Sequence, residues 1–211
     1  MSGASDGAMV RVWDPLIRVG HWVLVVAFAT AYLTEGEPEW LHTWAGYAIA
    51  GTVALRILWG LVGPRRARFT DFVTGPGRVF GYLRDLIAGR AERHIGHSPA
   101  GGAMTVALLA ALSVTAVTGM ATLAVEEGRG PLAGIIAPET PRAVTTVRSE
   151  ADEHREGHDE DGDLLKEIHE VAANLTLLLI VLHLAGVAWA SRVHGENLVR
   201  AMIDGRKRAA D

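Results

Sequence analysis

No cysteine occurs among the 211 residues. That absence excludes disulfides, cysteine-held iron–sulfur clusters and the C-x-x-C-H attachment of a c-type haem. Any redox group must be held by other ligands, and the nine histidines are the first place to look. An excess of positive charge is missing too: 20 Lys and Arg stand against 24 Asp and Glu, a formal net charge of −4. That balance implies no nucleic-acid partner. The chain also lacks a nucleotide-binding motif and a recognisable nucleophile with its base, so its chemistry belongs to a bound group.

What the chain has is long apolar runs. Hydrophobic residues make up 49% of it, and the mean hydropathy is +0.21, high for a soluble protein. A bilayer-spanning helix needs about 20 predominantly apolar residues. Four segments qualify, at about 15–34, 40–62, 103–125 and 167–191, and the third carries no charge at all. Pro15 suits a first helical turn, where its missing N–H is not needed. "VGP" at 62–64 is a stop for the second span. The expected fold class is all-α: an integral membrane four-helix bundle, one membrane domain over 1–211. A cleaved signal peptide is the rival reading of the first run, given the small residues Ala27, Ala29 and Ala31, but the run is long for a signal.

The loops set an orientation. Residues 63–102 carry seven arginines (Arg65, Arg66, Arg68, Arg78, Arg84, Arg90, Arg93) against three acids, and the C-terminal tail adds Arg192, Arg200, Arg206, Lys207 and Arg208. Loops 35–39 and 126–163 are acidic. The positive-inside rule then puts both termini and 63–102 in the cytoplasm of a bacterial inner membrane. The acidic loop 126–163 falls in the periplasm. Its stretch "SEADEHREGHDEDGD" is expected to be loosely folded, because it has too little apolar surface to bury. Trp40, Trp44, Trp59 and Trp189 lie near span ends, where interfacial aromatics belong.

Two histidines of the fourth run, His169 and His183, are fourteen residues apart. In a helix that is about 21 Å along the axis and within about 40° of one face. The other spans offer partners at matching depths. His21 stands about 9 Å into the first span from the cytoplasm, level with His183. His42 opens the second span from outside, level with His169. Ionisable residues inside spans are rare and mark function. Each histidine taken singly could bond a neighbouring helix or interfacial water. Four histidines in two depth-matched layers, His21 with His183 and His42 with His169, are explained together by bis-imidazole ligation of two b-type haems.

Several neighbours bear on that reading. Gly20, Gly46 and Gly186 leave room for a flat ring or for close helix packing. Arg18 and Arg56 lie at inner depth and either pair with haem propionates or snorkel to the cytoplasmic surface. Met104 and Met120 read as packing. His94 and His97 stand at the cytoplasmic mouth of the third span, in a loop role or beside a proton or quinone site. His154 and His158, at i and i+4 in the acidic loop, form a weak metal site or a solvated face. His194 reads as interfacial.

The stretches "VWDPLIRVGHW" at 12–22, "LHTWAGY" at 41–47, "IHEVAANLTLLLIVLHLAGV" at 168–187 and "ENLVRAMIDGRKR" at 196–208 resemble the bacterial cytochrome b561 family, related to the Ni-hydrogenase type of cytochrome b. The resemblance implies a four-helix membrane bundle with two b haems on His21, His42, His169 and His183. It also implies electron transfer between membrane quinone and a partner: a periplasmic cytochrome c, a dehydrogenase or a hydrogenase. Some members resemble a superoxide oxidase that reduces ubiquinone. A haem-free, histidine-lined metal transporter is a third reading, from another class. The acidic outer loops favour a cationic partner over anionic superoxide.

The alternation of basic and acidic loops makes a definite topology. A reporter fused after Asp211 is expected to be active only as a cytoplasmic fusion, and a tag inserted at 150–160 is expected to be cut by protease added to spheroplasts. A protected tag reverses the orientation.

Overall fold

The computed structural model describes residues 9–34, 37–136 and 150–209, with the side chains of 150–161 left out. Glu35, the acidic side chains of 150–161, His154 and His158 therefore lie outside the described residues. The chain runs β1 (Met9–Arg11), α1 (Pro15–Thr34), α2 (Glu39–Val62), a 3-10 turn (Arg65–Ala67), α3 (Phe69–Phe72), α4 (Pro76–Ile87), α5 (Pro99–Glu127), α6 (Ala133–Ile136), α7 (Glu150–His194), α8 (Leu198–Asp204) and β2 (Arg206–Arg208). Four helices are long and apolar enough to cross a membrane: Pro15–Thr34, Glu39–Val62, Pro99–Glu127 and the Gly162–His194 part of α7. The chain is a multi-pass helical membrane protein.

Helix ends follow local chemistry. Asp14 accepts the Ile17 N–H at 3.1 Å and so caps α1, with Pro15 at its first position. Its other oxygen accepts from Trp59 Nε1 at 3.3 Å, which ties the start of α1 to the end of α2. The third span is longer than the apolar run of 103–125. Ser98 caps it through the Gly101 N–H at 3.1 Å, and Pro99 starts it. Gly128, at φ 61°, ends it in the left-handed conformation that only glycine adopts readily. The fourth helix departs further from expectation, for its backbone is helical back to Glu150, through the stretch expected to be loose. Elongating an existing helix needs no new nucleus, and acidic residues are favoured near a helix N-terminus.

The core follows from which helices touch. α7 packs on α5, α1 on α2, and α2 on α5. Ala27 and Phe28 of α1, Ile49 and Val53 of α2, and Leu109 and Leu112 of α5 form the buried centre, with Leu177 and Ile180 of α7 against it. Elsewhere the helices turn large apolar side chains outward; Val26 is 64% exposed and Leu184 60%. In a bilayer those faces meet lipid.

The α5–α7 seam is built of small residues. Thr176, fully buried, donates to the Ala172 carbonyl at 2.8 Å, and its oxygen lies 3.2 Å from Thr115 Oγ1 across the seam. At one end of the bundle Arg129 pairs with Glu39 and Glu127, joining α2 to α5. At the other, β1 and β2 pair antiparallel, Met9 with Arg208 and Arg11 with Arg206. Residues 9 and 208 thus meet at one end, as an even number of spans requires. This small sheet, together with α3, α4 and α8, was not expected from the sequence.

The seam makes its own prediction. Thr176→Val keeps the volume and removes an interhelical hydrogen bond of about 0.6 kcal/mol, so unfolding in detergent should shift little. Thr176→Leu overfills a closed site at about 1–3 kcal/mol and should lower the unfolding temperature clearly. Equal tolerance of both substitutions would show the seam to be loose.

Candidate functional site

Two histidines at the end of the bundle away from the paired strands, the outer end in the expected orientation, face each other. The His42 and His169 rings have centroids 6.2 Å apart and planes inclined at 76°. His42 stands in the first turn of α2, and its Nδ1 lies 2.9 Å from the Ala31 carbonyl at the end of α1. His169 Nδ1 lies 2.9 Å from the Thr115 carbonyl of α5 and 3.2 Å from the Thr118 hydroxyl. A carbonyl only accepts, so both Nδ1 atoms carry the proton. Both Nε2 atoms are thereby left as free lone pairs, the tautomer a metal ligand needs.

Gly119 makes room for this arrangement. A Cβ built there would stand 2.8 Å from His169 Cε1 and 3.1 Å from Nδ1, so only glycine lets the imidazole lie in that notch of α5. Thr115 supplies the carbonyl from one turn earlier on the same face. Neither residue was singled out in the sequence. The available signal was a glycine inside an uncharged span, where it disfavours the helix by about 1 kcal/mol relative to alanine.

The inner pair is less constrained. His21 lies on α1 with its ring edge-on to Trp22, centroids 5.4 Å apart, and His183 is near enough for the two charges to interact. His21 Nδ1 is buried and has no hydrogen-bond partner among the described residues. A Cβ added at Gly46 or Gly186 would meet nothing within 4 Å among the described residues, whereas one at Gly20 would stand 3.4 Å from Thr52 Cγ2, ordinary helix packing. Tyr32 donates to Asn174 Oδ1 at 2.9 Å, bridging α1 and α7 through side chains.

The donor set discriminates among guests. Among the described residues no three or more His, Cys, Asp or Glu side chains gather as they would to hold a metal ion. A bare ion held by protein takes three or four such ligands. Histidines in pairs suit an iron whose remaining positions a porphyrin fills. Two imidazoles bound through nitrogen on opposite faces of one metal, at about 2 Å per bond, have ring centres roughly 6 Å apart. The outer pair has that spacing, so the residues fit a haem.

Arg18 and Arg56 are placed in the polar cap at the termini end. Arg18 donates to the Ile203 carbonyl of α8. Arg56, 9% exposed, donates to the Ala67 carbonyl at 3.2 Å and lies over the Phe69 and Phe72 rings. His97 sits between Trp13 and Phe72, centroids 4.6 and 4.1 Å away. Loss of water, and then the charges of Arg56 and Lys207, hold His97 down to about 3, so it is neutral at physiological pH. Lys207, 8% exposed, donates to the His94 carbonyl at 3.3 Å. Burial lowers its pKa, with Glu196 opposing. Glu196 also accepts from Arg93 at 2.5 Å. His94 and His97 are thus parts of a packed cap.

No curated protein and no solved structure matches the chain significantly. The prokaryotic cytochrome b561 family model matches residues 12–205, a range that takes in all four spans, the four paired histidines and α8. The chain therefore belongs to the prokaryotic cytochrome b561 family and is a membrane b-type cytochrome of electron transfer.

Proposed function

We propose that this cytochrome carries two haems, one between His42 and His169 and one between His21 and His183, in a bacterial inner membrane. It passes electrons between the quinone pool and a periplasmic or membrane redox protein. The observation that carries the reading is the outer pair, with its ring spacing and both Nδ1–H groups bonded to backbone carbonyls. A bound b haem supplies a one-electron iron couple. The protein's part is to present Nε2 from two helices and to raise its basicity through those carbonyls. It also excludes water with the apolar core. Arg18 and Arg56 each keep N–H groups beyond those bonded to carbonyls, and offer positive charge to propionates at the inner level. Along α7 the two ligand levels are about 21 Å apart, so electrons can cross much of the bilayer in two stages.

Haem per polypeptide tests the ligand set. His183→Ala is expected to reduce two haems towards one while the outer haem stays. Gly119→Ala, by crowding His169, should weaken only the outer one, and Gly186→Ala should keep both. Unchanged stoichiometry in a stable His183→Ala protein overturns the inner assignment.

The acidic outer segments, Glu37, Glu39 and the run to Asp163, favour a cationic redox partner. Reduction of a basic cytochrome c should be faster at low salt than at 0.15 M, where screening acts beyond about 8 Å. The difference should shrink when residues 150–163 are neutralised. Rates indifferent to salt remove that docking role.

A further inference from the structure

α4 has a wider apolar face than the bundle covers. At about 100° per residue, Tyr82, Leu86, Val79, Leu83, Ile87 and Phe80 follow one another round one continuous arc. One half of the arc meets protein. Tyr82 and Leu86 are buried, the Tyr82 hydroxyl is 3.2 Å from His194 Nε2, and the Leu86 carbonyl accepts from Trp189 Nε1 at 3.1 Å. The other half is bare, with Phe80 69%, Leu83 38% and Ile87 75% exposed. Arg84 adjoins the bare stripe and Arg90 follows the helix, their side chains 75% and 67% exposed. Both reach Asp85, at 3.6 and 3.2 Å. With Arg78, three arginines face one aspartate, an excess of two positive charges.

Depth decides what meets this stripe. Trp189 lies near the end of the fourth span and is half exposed, in the position of an interfacial aromatic. Its hydrogen bond to the Leu86 carbonyl, with the Tyr82–His194 contact, holds α4 beside the last turns of α7, at that level. Apolar residues on one side and arginines beside them, at the boundary between acyl chains and headgroups, match an anionic lipid surface.

We propose that α4 is an interfacial helix: Phe80, Leu83 and Ile87 enter the acyl boundary of the adjoining leaflet, and Arg84 and Arg90 bind the phosphates of anionic phospholipids. The family assignment does not supply this surface, and it does not depend on which quinone or partner the haems serve. Because α4 grips α7 through Trp189 and His194, the lipid it binds also steadies the inner end of the helix that carries His183.

The cysteine-free chain allows a clean test. Single nitroxide labels are attached to Phe80→Cys, Ile87→Cys and Arg84→Cys in the full-length haem-loaded protein, in bilayer discs of phosphatidylcholine with or without phosphatidylglycerol. Relaxation by oxygen and by a water-soluble nickel chelate is then compared. With phosphatidylglycerol present, labels at 80 and 87 are expected to favour oxygen and the label at 84 the chelate. Removing phosphatidylglycerol, or introducing Arg84→Gln and Arg90→Gln beside the label at 80 or 87, should increase chelate access. Each lost arginine should change the equilibrium constant for anionic lipid at this face by about fivefold. Labels at 80 and 87 as open to chelate as that at 84 overturn the proposal. So does dipolar broadening that vanishes on dilution with unlabelled protein, which would assign the stripe to a second copy. Access that ignores lipid charge overturns the role of the arginines.

Discussion

Between two helices in a bilayer there is no water to expel, so close approach has to come from shape. α5 and α7 achieve it with Ala111, Thr115 and Gly119 on one side and Ala172 and Thr176 on the other, each set spaced by four residues. Thr115 and Thr176 touch through their hydroxyls at the centre of this seam. The same surface seats His169: Gly119 makes the notch for its ring and Thr115 supplies the carbonyl for its Nδ1. Once α7 is seated there, its rotation is fixed. His183, four turns further along and nearly on the same face, is brought near His21 without a comparable seat of its own. The contrast between a well-anchored outer pair and a lightly anchored inner pair thus begins in the packing of two other residues.

Much of this was legible in the sequence, for reasons that are physical. Uninterrupted apolar runs define spans because lipid tolerates little else, and the first two helices begin and end within a residue of the predicted limits. The histidines stood out because ionisable groups in such runs are rare. Other features depend on partners distant in sequence and gave no local signal. Arg129 sits in a segment read only as acidic, and its pairing with Glu39 needs the fold to bring residues 90 apart together. Gly119 is one glycine among 24 until the imidazole beside it is seen. The helical backbone of the acidic stretch from Glu150 was missed because composition was weighed without the apolar helix that follows it.

The cap at the termini end combines buried charge with aromatic rings. Arg56 and Lys207 are each about nine-tenths buried, and Arg56 has two phenylalanine faces and a backbone carbonyl around it. Burial, and then the charges of Arg56 and Lys207, keep His97 neutral, so it adds no third cation to the cap. Buried charge of this kind contributes little net stability, yet its removal would leave partners unsatisfied. The cap therefore acts by fixing position, setting the ends of α1, α2 and α7 relative to one another.

The pairing of β1 with β2 also gives the protein an order of assembly. β2 follows every span in the chain, so the ribosome must deliver all four helices before Met9–Arg11 finds its partner strand. Until then the start of α1 lacks the seam that binds it, through Val12 and Gly205, to the tail beyond α7. His21 and His183 come from the first span and the last, whereas His42 waits for the same last helix but is already held to α1 by Ala31. A chain interrupted after its third span would therefore present one prearranged histidine, His42, and neither finished pair.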